Sequence, residues 1–138
     1  MNRTLHALAL LSCLGVSIGA LAAPPAALID GYAAEARAAD PAFTGFSAER
    51  GETLHRTRHG LGKPDTPACT SCHGDDARAP GKTRTGKAIE PMAVSVVATR
   101  YSDPAKVEKW FKRNCTEVLG RECTPREKGD WLAWMTKQ

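Results

Sequence analysis

The sequence predicts an all-α domain, and three observations carry the prediction. Two stretches hold full helix-start signals: Asp103-Pro104, and Thr124-Pro125 with Glu127 three positions after the threonine. An aspartate or threonine oxygen satisfies a free N–H, proline loses nothing at the first helical position, and the glutamate bonds back to the cap. After Pro104, Val107, Trp110 and Phe111 recur at i, i+3 and i+4, which is one face of a helix. The β-branched run within Pro91–Ala98 has no partner strand in view and reads as a loop or short helix.

The chain begins MNRTLHALALLSCLGVSIGALAAPP. A basic Arg3, an apolar run too short to span a bilayer and the small-residue site Ala20-Leu21-Ala22 read as a cleaved secretory signal over residues 1–22. Cys13 lies upstream of the cleavage site, which argues against a lipid anchor. Residues 23–138 then form one domain with one core. Export places the protein in the periplasm, where disulfides persist. The formal charge of the whole chain is +4. Its basic residues are spread out and not interleaved with aromatics, so nucleic acid is not expected as a partner.

The elements follow in order. Leu28–Ala39 is Ala-rich and helical, and stops before Asp40-Pro41. Ser47 caps a second helix that carries Gly51 and Leu54. Asp75–Lys87, with APGKTRTGK, reads as an irregular surface loop. Asp103 opens the helix bearing the apolar stripe, which is expected to end near Asn114. Thr124 opens the last helix, which runs to Met135.

Four cysteines follow the signal: Cys69, Cys72, Cys115 and Cys123. Cys69-Thr70-Ser71-Cys72-His73 is C-x-x-C-H, which in an exported protein reads as the attachment site of haem c. Two thiols one helical turn apart meet the porphyrin vinyl groups, and His73 becomes the proximal iron ligand. A thioredoxin-like pair would need a βαβ context, which is missing. A zinc site would need a second pair at ligand spacing, and Cys115 with Cys123 is too wide and too distant.

The stretch GETLHRTRHGLGKPDTPACTSCHG resembles the start of a small class I cytochrome c. That resemblance implies that the Gly51 helix crosses the last helix closely, with Trp131 or Trp134 approaching the Gly51 backbone.

The sixth iron position separates electron transfer from ligand binding. Candidates are Met92, Met135, His55, His59 and Asn114, or no residue at all. Met92 sits in EPMAV, with proline before it, where that family has methionine before proline. Met135 is expected to pack in the core, and His55 and His59 to lie at the surface. Asn114 falls at i+7 on the stripe of Val107, Trp110 and Phe111, so an amide stands where a core residue is expected. Cys115 and Cys123 flank TEVLGRE, and a disulfide between them would close a short loop beside Asn114.

VEKWFKRNCTEVLGRECTPREKGDWLAW closely resembles the sphaeroides haem protein family of bacterial c-type cytochromes. The likeness runs from about Phe46 to the end of the chain. It implies a class I-like fold around one covalent haem c, with His73 proximal, Asn114 distal and Cys115 bonded to Cys123. It also implies that the asparagine leaves the iron on reduction and that the ferrous haem then binds dioxygen or nitric oxide. The redox partners it implies are a dihaem cytochrome c and a membrane cytochrome b. The protein would then act as a ligand-binding carrier or as a terminal oxidoreductase. A weak, hard amide suits ferric iron, whereas softer ferrous iron prefers diatomic ligands.

Overall fold

A computed structural model describes residues 25–138. The expected signal over 1–22 lies outside the described residues. Among the described residues the order is five helices and one short hairpin: α1 (Pro25–Ala39), α2 (Ala48–Arg56), α3 (Thr70–His73), β1 (Gly81–Lys82), β2 (Ala88–Ile89), α4 (Pro104–Leu119) and α5 (Pro125–Met135). Among the described residues no helix is long and apolar enough to cross a membrane.

The helix starts follow the capping chemistry of the sequence. The Ser47, Asp103 and Thr124 side chains accept from the backbone N–H of Arg50, Lys106 and Glu127. Glu127 completes the capping box on the Thr124 N–H. One boundary departs from expectation: α4 does not stop at Asn114 but continues to Leu119 and ends at Gly120, at φ 70°. An L side chain is strained in that left-handed conformation, so Gly120 rather than Asn114 is the stop signal.

The crossing of α2 and α5 is the centre of the frame. A Cβ on Gly51 would stand 2.1 Å from the Asp130 carbonyl oxygen and 2.8 Å from the Trp131 Cα. Gly51 therefore admits the backbone of α5 and not, as the sequence suggests, an aromatic ring. Asp130 seals the same crossing. Its buried carboxylate accepts from the Ser47 backbone N–H at 2.7 Å and from Arg50 Nε at 2.7 Å.

Around this crossing the main core gathers Tyr32, Met92, Ala93, Tyr101, Val107, Leu132, Trp134 and Met135. A second cluster holds Cys115, Val118, Leu119 and Cys123, with Leu54, Cys69 and Phe111 packed on it. Trp110 departs from the expected stripe. It is 43 % exposed, with the Arg113 guanidinium over its ring. The core side of α4 is therefore Val107, Phe111, Cys115 and Val118.

Two loop readings are also refined. The Asp75–Lys87 stretch supplies β1, which pairs antiparallel with β2 through Gly81–Ile89 and Lys82–Ala88. Strands of two residues are too short to show a period in sequence. Pro91–Ala98 is made of turns without helix or strand, tied down by Met92 and Ala93 N–H bonds to the Ala77 carbonyl.

Candidate haem site

The C-x-x-C-H segment forms one helical turn. Cys69 is the N-cap of α3, and the His73 and Gly74 N–H groups bond back to the Cys69 and Thr70 carbonyls. The turn is buttressed on three sides. Ser71 Oγ accepts from the Ala68 N–H at 3.3 Å. The hairpin presses on it so closely that a Cβ on Gly81 would lie 2.4 Å from the Cys72 carbonyl oxygen. Beyond it, Arg56 of α2 bonds both the side chain and the carbonyl of Asp75.

Cys69 and Cys72 are not paired with one another, and both are partly buried. Burial pushes the Cys69 thiol up to about 11. Burial also lowers His73 to about 4, with His55 and Arg100 adding to the effect. The imidazole is therefore neutral and able to ligate. Its Nδ1 is buried without a protein hydrogen-bond partner. Two unpaired thiols one turn apart, with a neutral imidazole beside them, fit covalent haem c: the thiols could form the thioether links and the imidazole could ligate the iron. The zinc alternative finds no cluster, since no group of three or more His, Cys, Asp or Glu side chains gathers among the described residues.

The remaining candidates separate clearly. Asn114 is half-buried in the middle of the last two turns of α4. Its helical neighbours Phe111 and Cys115 belong to the packing around the second cluster, which Cys69 also touches. The contacts that fix α4 flank Asn114. Before it, Glu108 accepts from Tyr32 and from Lys128 Nζ at 2.6 Å. After it, Cys115 is bonded to Cys123, with Cα atoms 5.5 Å apart, and the Glu117 carbonyl accepts from the Lys63 N–H at 2.7 Å.

Met92 and Met135 are buried in the main core, at 2 % and 0 % exposure. The Met92 carbonyl accepts from the Tyr101 hydroxyl at 2.7 Å. His59 is half-buried and its Nε2 lies 3.1 Å from the Leu54 carbonyl. His55 overturns the expectation of a surface residue, for it has no exposed surface at all. A signal was available, because His55 follows Gly51 by four positions and so shares the buried face of α2. Its polarity concealed it.

A paired-thiol turn with an adjacent neutral histidine, on an all-α frame whose second and last helices cross through a glycine, defines a c-type cytochrome. Comparison with known proteins narrows this further. Residues 41–135 match the model of a domain of unknown function, DUF1924. The cytochrome c-type protein SHP of Cereibacter sphaeroides is 54 % identical over 114 residues, covering 83 % of this chain and 84 % of the relative. The structure of oxidised SHP, an oxygen-binding cytochrome c, superposes with a TM-score of 0.76 at 51 % identity, over 83 % of this chain and 96 % of that one. The solution structure of Methylophilus methylotrophus cytochrome c'', which gives insights into haem-ligand detachment, matches at 0.72 and 31 % identity, over 83 % and 93 % of the two chains. The chain belongs to the DUF1924 family and to the sphaeroides haem proteins. It is an exported c-type cytochrome with one covalently attached haem c.

Proposed function

We propose that this is a periplasmic cytochrome in which Cys69 and Cys72 hold the haem, His73 ligates iron proximally and Asn114 ligates it distally until reduction. The haem iron supplies the redox change and, once ferrous, a site for a small diatomic ligand such as dioxygen or nitric oxide. The observation that carries the reading is the half-buried Asn114, set on the packed side of α4, a helix whose apolar cluster Cys69 also joins. The oxygen binding of SHP and the ligand detachment of cytochrome c'' support it.

The chemistry of asparagine suits the task. The side chain is neutral at every pH, so its release needs no proton transfer. It carries one acceptor and two donors, so after leaving the iron it can still donate a hydrogen bond to an incoming ligand. Because α4 is held on both sides of Asn114, release by rotation of the side chain is favoured over movement of the helix. The Cys115–Cys123 bond belongs to this reading as the clamp on the residue next to the ligand. Electrons come from a partner cytochrome, a dihaem cytochrome c or a membrane cytochrome b, and the chain reaches the periplasm through a cleaved signal over 1–22.

The main alternative is an ordinary electron carrier with Met92 as distal ligand. The enclosure of Met92 among Ala77, Ala93 and Tyr101 supports a packing role instead. Spectra of the dithionite-reduced protein with and without carbon monoxide test the two. We expect a high-spin ferrous spectrum that converts fully to the carbon monoxide adduct. Asn114→Ala should make the ferric form high-spin as well, and Met92→Ala should leave the coordination unchanged. A low-spin ferrous spectrum that ignores carbon monoxide, lost on Met92→Ala, would establish the electron carrier.

A further inference from the structure

His55 has no exposed surface, and ligation of the haem gives it no role. Both ring nitrogens are engaged. Nε2 lies 3.0 Å from the Gly74 carbonyl oxygen, and the Trp131 indole Nε1 lies 3.3 Å from Nδ1. A carbonyl can only accept and an indole N–H can only donate. The proton must therefore sit on Nε2 and the lone pair on Nδ1, which makes the ring neutral and fixes one tautomer. Burial, which lowers the His55 pKa, acts in the same direction. The ring also packs on Trp134, with centroids 4.9 Å apart. Trp131 is itself held edge-on by Phe111 of α4 at 5.5 Å and by Tyr101 at 6.0 Å.

The partner of His55 is what gives this geometry meaning. Gly74 is the C-cap of α3 and directly follows His73. A helix of four residues has too few internal bonds to hold its own shape, and its last carbonyls lack helical partners. The Gly74 N–H is fixed from inside the turn by the Thr70 carbonyl at 3.0 Å. Its carbonyl is fixed from outside by His55. We propose that His55 is a positioning residue for the proximal ligand: it locks the exit of the Cys69–His73 turn and refers its position, through Trp131 and Trp134, to α5. The inference rests on His73 being the proximal ligand.

The test compares His55→Phe and His55→Gln holoproteins. Phenylalanine keeps a ring and loses both nitrogens; glutamine keeps a donor and an acceptor. The readouts are the iron–histidine stretch in the resonance Raman spectrum of the ferrous protein and the midpoint potential, each set beside the Tm. We expect His55→Phe to shift the stretch and the potential, and His55→Gln to bring both back toward wild type even where its Tm stays low. A Phe variant with a lowered Tm and an unmoved stretch and potential would reduce His55 to packing and overturn the proposal. Should the Phe variant fail to mature, nitrogen NMR of the wild-type carbon monoxide form decides. A neutral Nε2–H tautomer with a slowly exchanging proton supports the lock; an Nδ1–H tautomer or a freely exchanging ring rejects it. His73→Ala is the control for the underlying reading. A retained iron–histidine band there would refute proximal ligation by His73 whatever the His55 variants do.

Discussion

Two of the joints that hold helix α5 to its neighbours are built on opposite principles. Its middle meets α2 backbone against backbone, through Gly51, with the Asp130 carboxylate bonded across the gap. Its start is joined to the end of α4 by the Cys115–Cys123 bond and by the Thr124 cap. The first joint leaves no space to adjust. The second is a covalent tether, which limits how far the segments can part, with Val118 and Leu119 packed beside it. The rigid joint reaches the His73 end of the Cys69–His73 turn through His55 of α2, whereas the tethered one lies next to Asn114 and borders the turn only at Cys69. The fixed ligand and the labile ligand of the proposed haem site thus fall on the joint suited to each.

The most disruptive way to break this comparison is Gly51→Ala. The added carbon meets backbone that cannot swing aside, and a cost of about 3 kcal/mol or more is expected. Urea unfolding of the holoprotein reads it. A loss under about 1 kcal/mol would show that the crossing yields, and the contrast between the joints would disappear. Gly129→Ala calibrates the result, since the nearest atoms its Cβ would meet, at 2.1 Å and beyond, belong to the Phe46 side chain, which can shift as a whole where a backbone cannot.

The next effect is the loss of the tether. Cys115→Ser with Cys123→Ser releases a bond spanning 8 positions. The chain-entropy estimate for so short a loop is about 2–3 kcal/mol, seen as a lower Tm. The contrast sharpens if carbon monoxide binding to the reduced protein changes in this variant and stays the same in Gly129→Ala. Identical behaviour would place the distal site outside the reach of the tether.

The smallest effect concerns the cap that starts α5. The hydrogen bond from Arg121 holds the Glu127 carboxyl below its ordinary 4.5. A lowered carboxyl stabilises the fold fully above its unfolded value and loses that contribution as pH falls through the folded one. Glu127→Gln should therefore flatten the acid limb of the stability curve below about pH 4.5 and cost under ~1 kcal/mol at neutral pH. Thermal melts at pH 7 and on the acid side give both numbers. An unchanged acid limb would mean that the carboxylate is not what the cap depends on.

Much of this was legible in the sequence because the chemistry involved is local. The Thr124–Glu127 box, the Asp103 cap and the C-x-x-C-H turn each lie within five residues, so their geometry is nearly fixed by residue type. Asn114 was legible as a polar residue on a packed stripe, but the end of its helix was not. Asn114 can cap a helix, yet Gly120 does, because the disulfide and the Leu119 contacts extend the packed face beyond it. His55 was hidden for a related reason. A histidine is buried only if both nitrogens find partners, and its partners lie 19 positions later at Gly74 and 76 positions later at Trp131. Such long-range pairing leaves no periodic trace. The Gly51 crossing was anticipated, but which atoms of α5 would fill the space depended on the angle of approach and not on composition.

One neighbourhood joins two parts of the chain that are far apart in sequence. Cys69 packs on the cluster that contains the Cys115–Cys123 bond. The cross-link between the end of α4 and the start of α5 therefore also backs the first residue of the C-x-x-C-H turn. A change at either cysteine of the bond would reach that turn through packing alone, with no hydrogen bond needed to carry it.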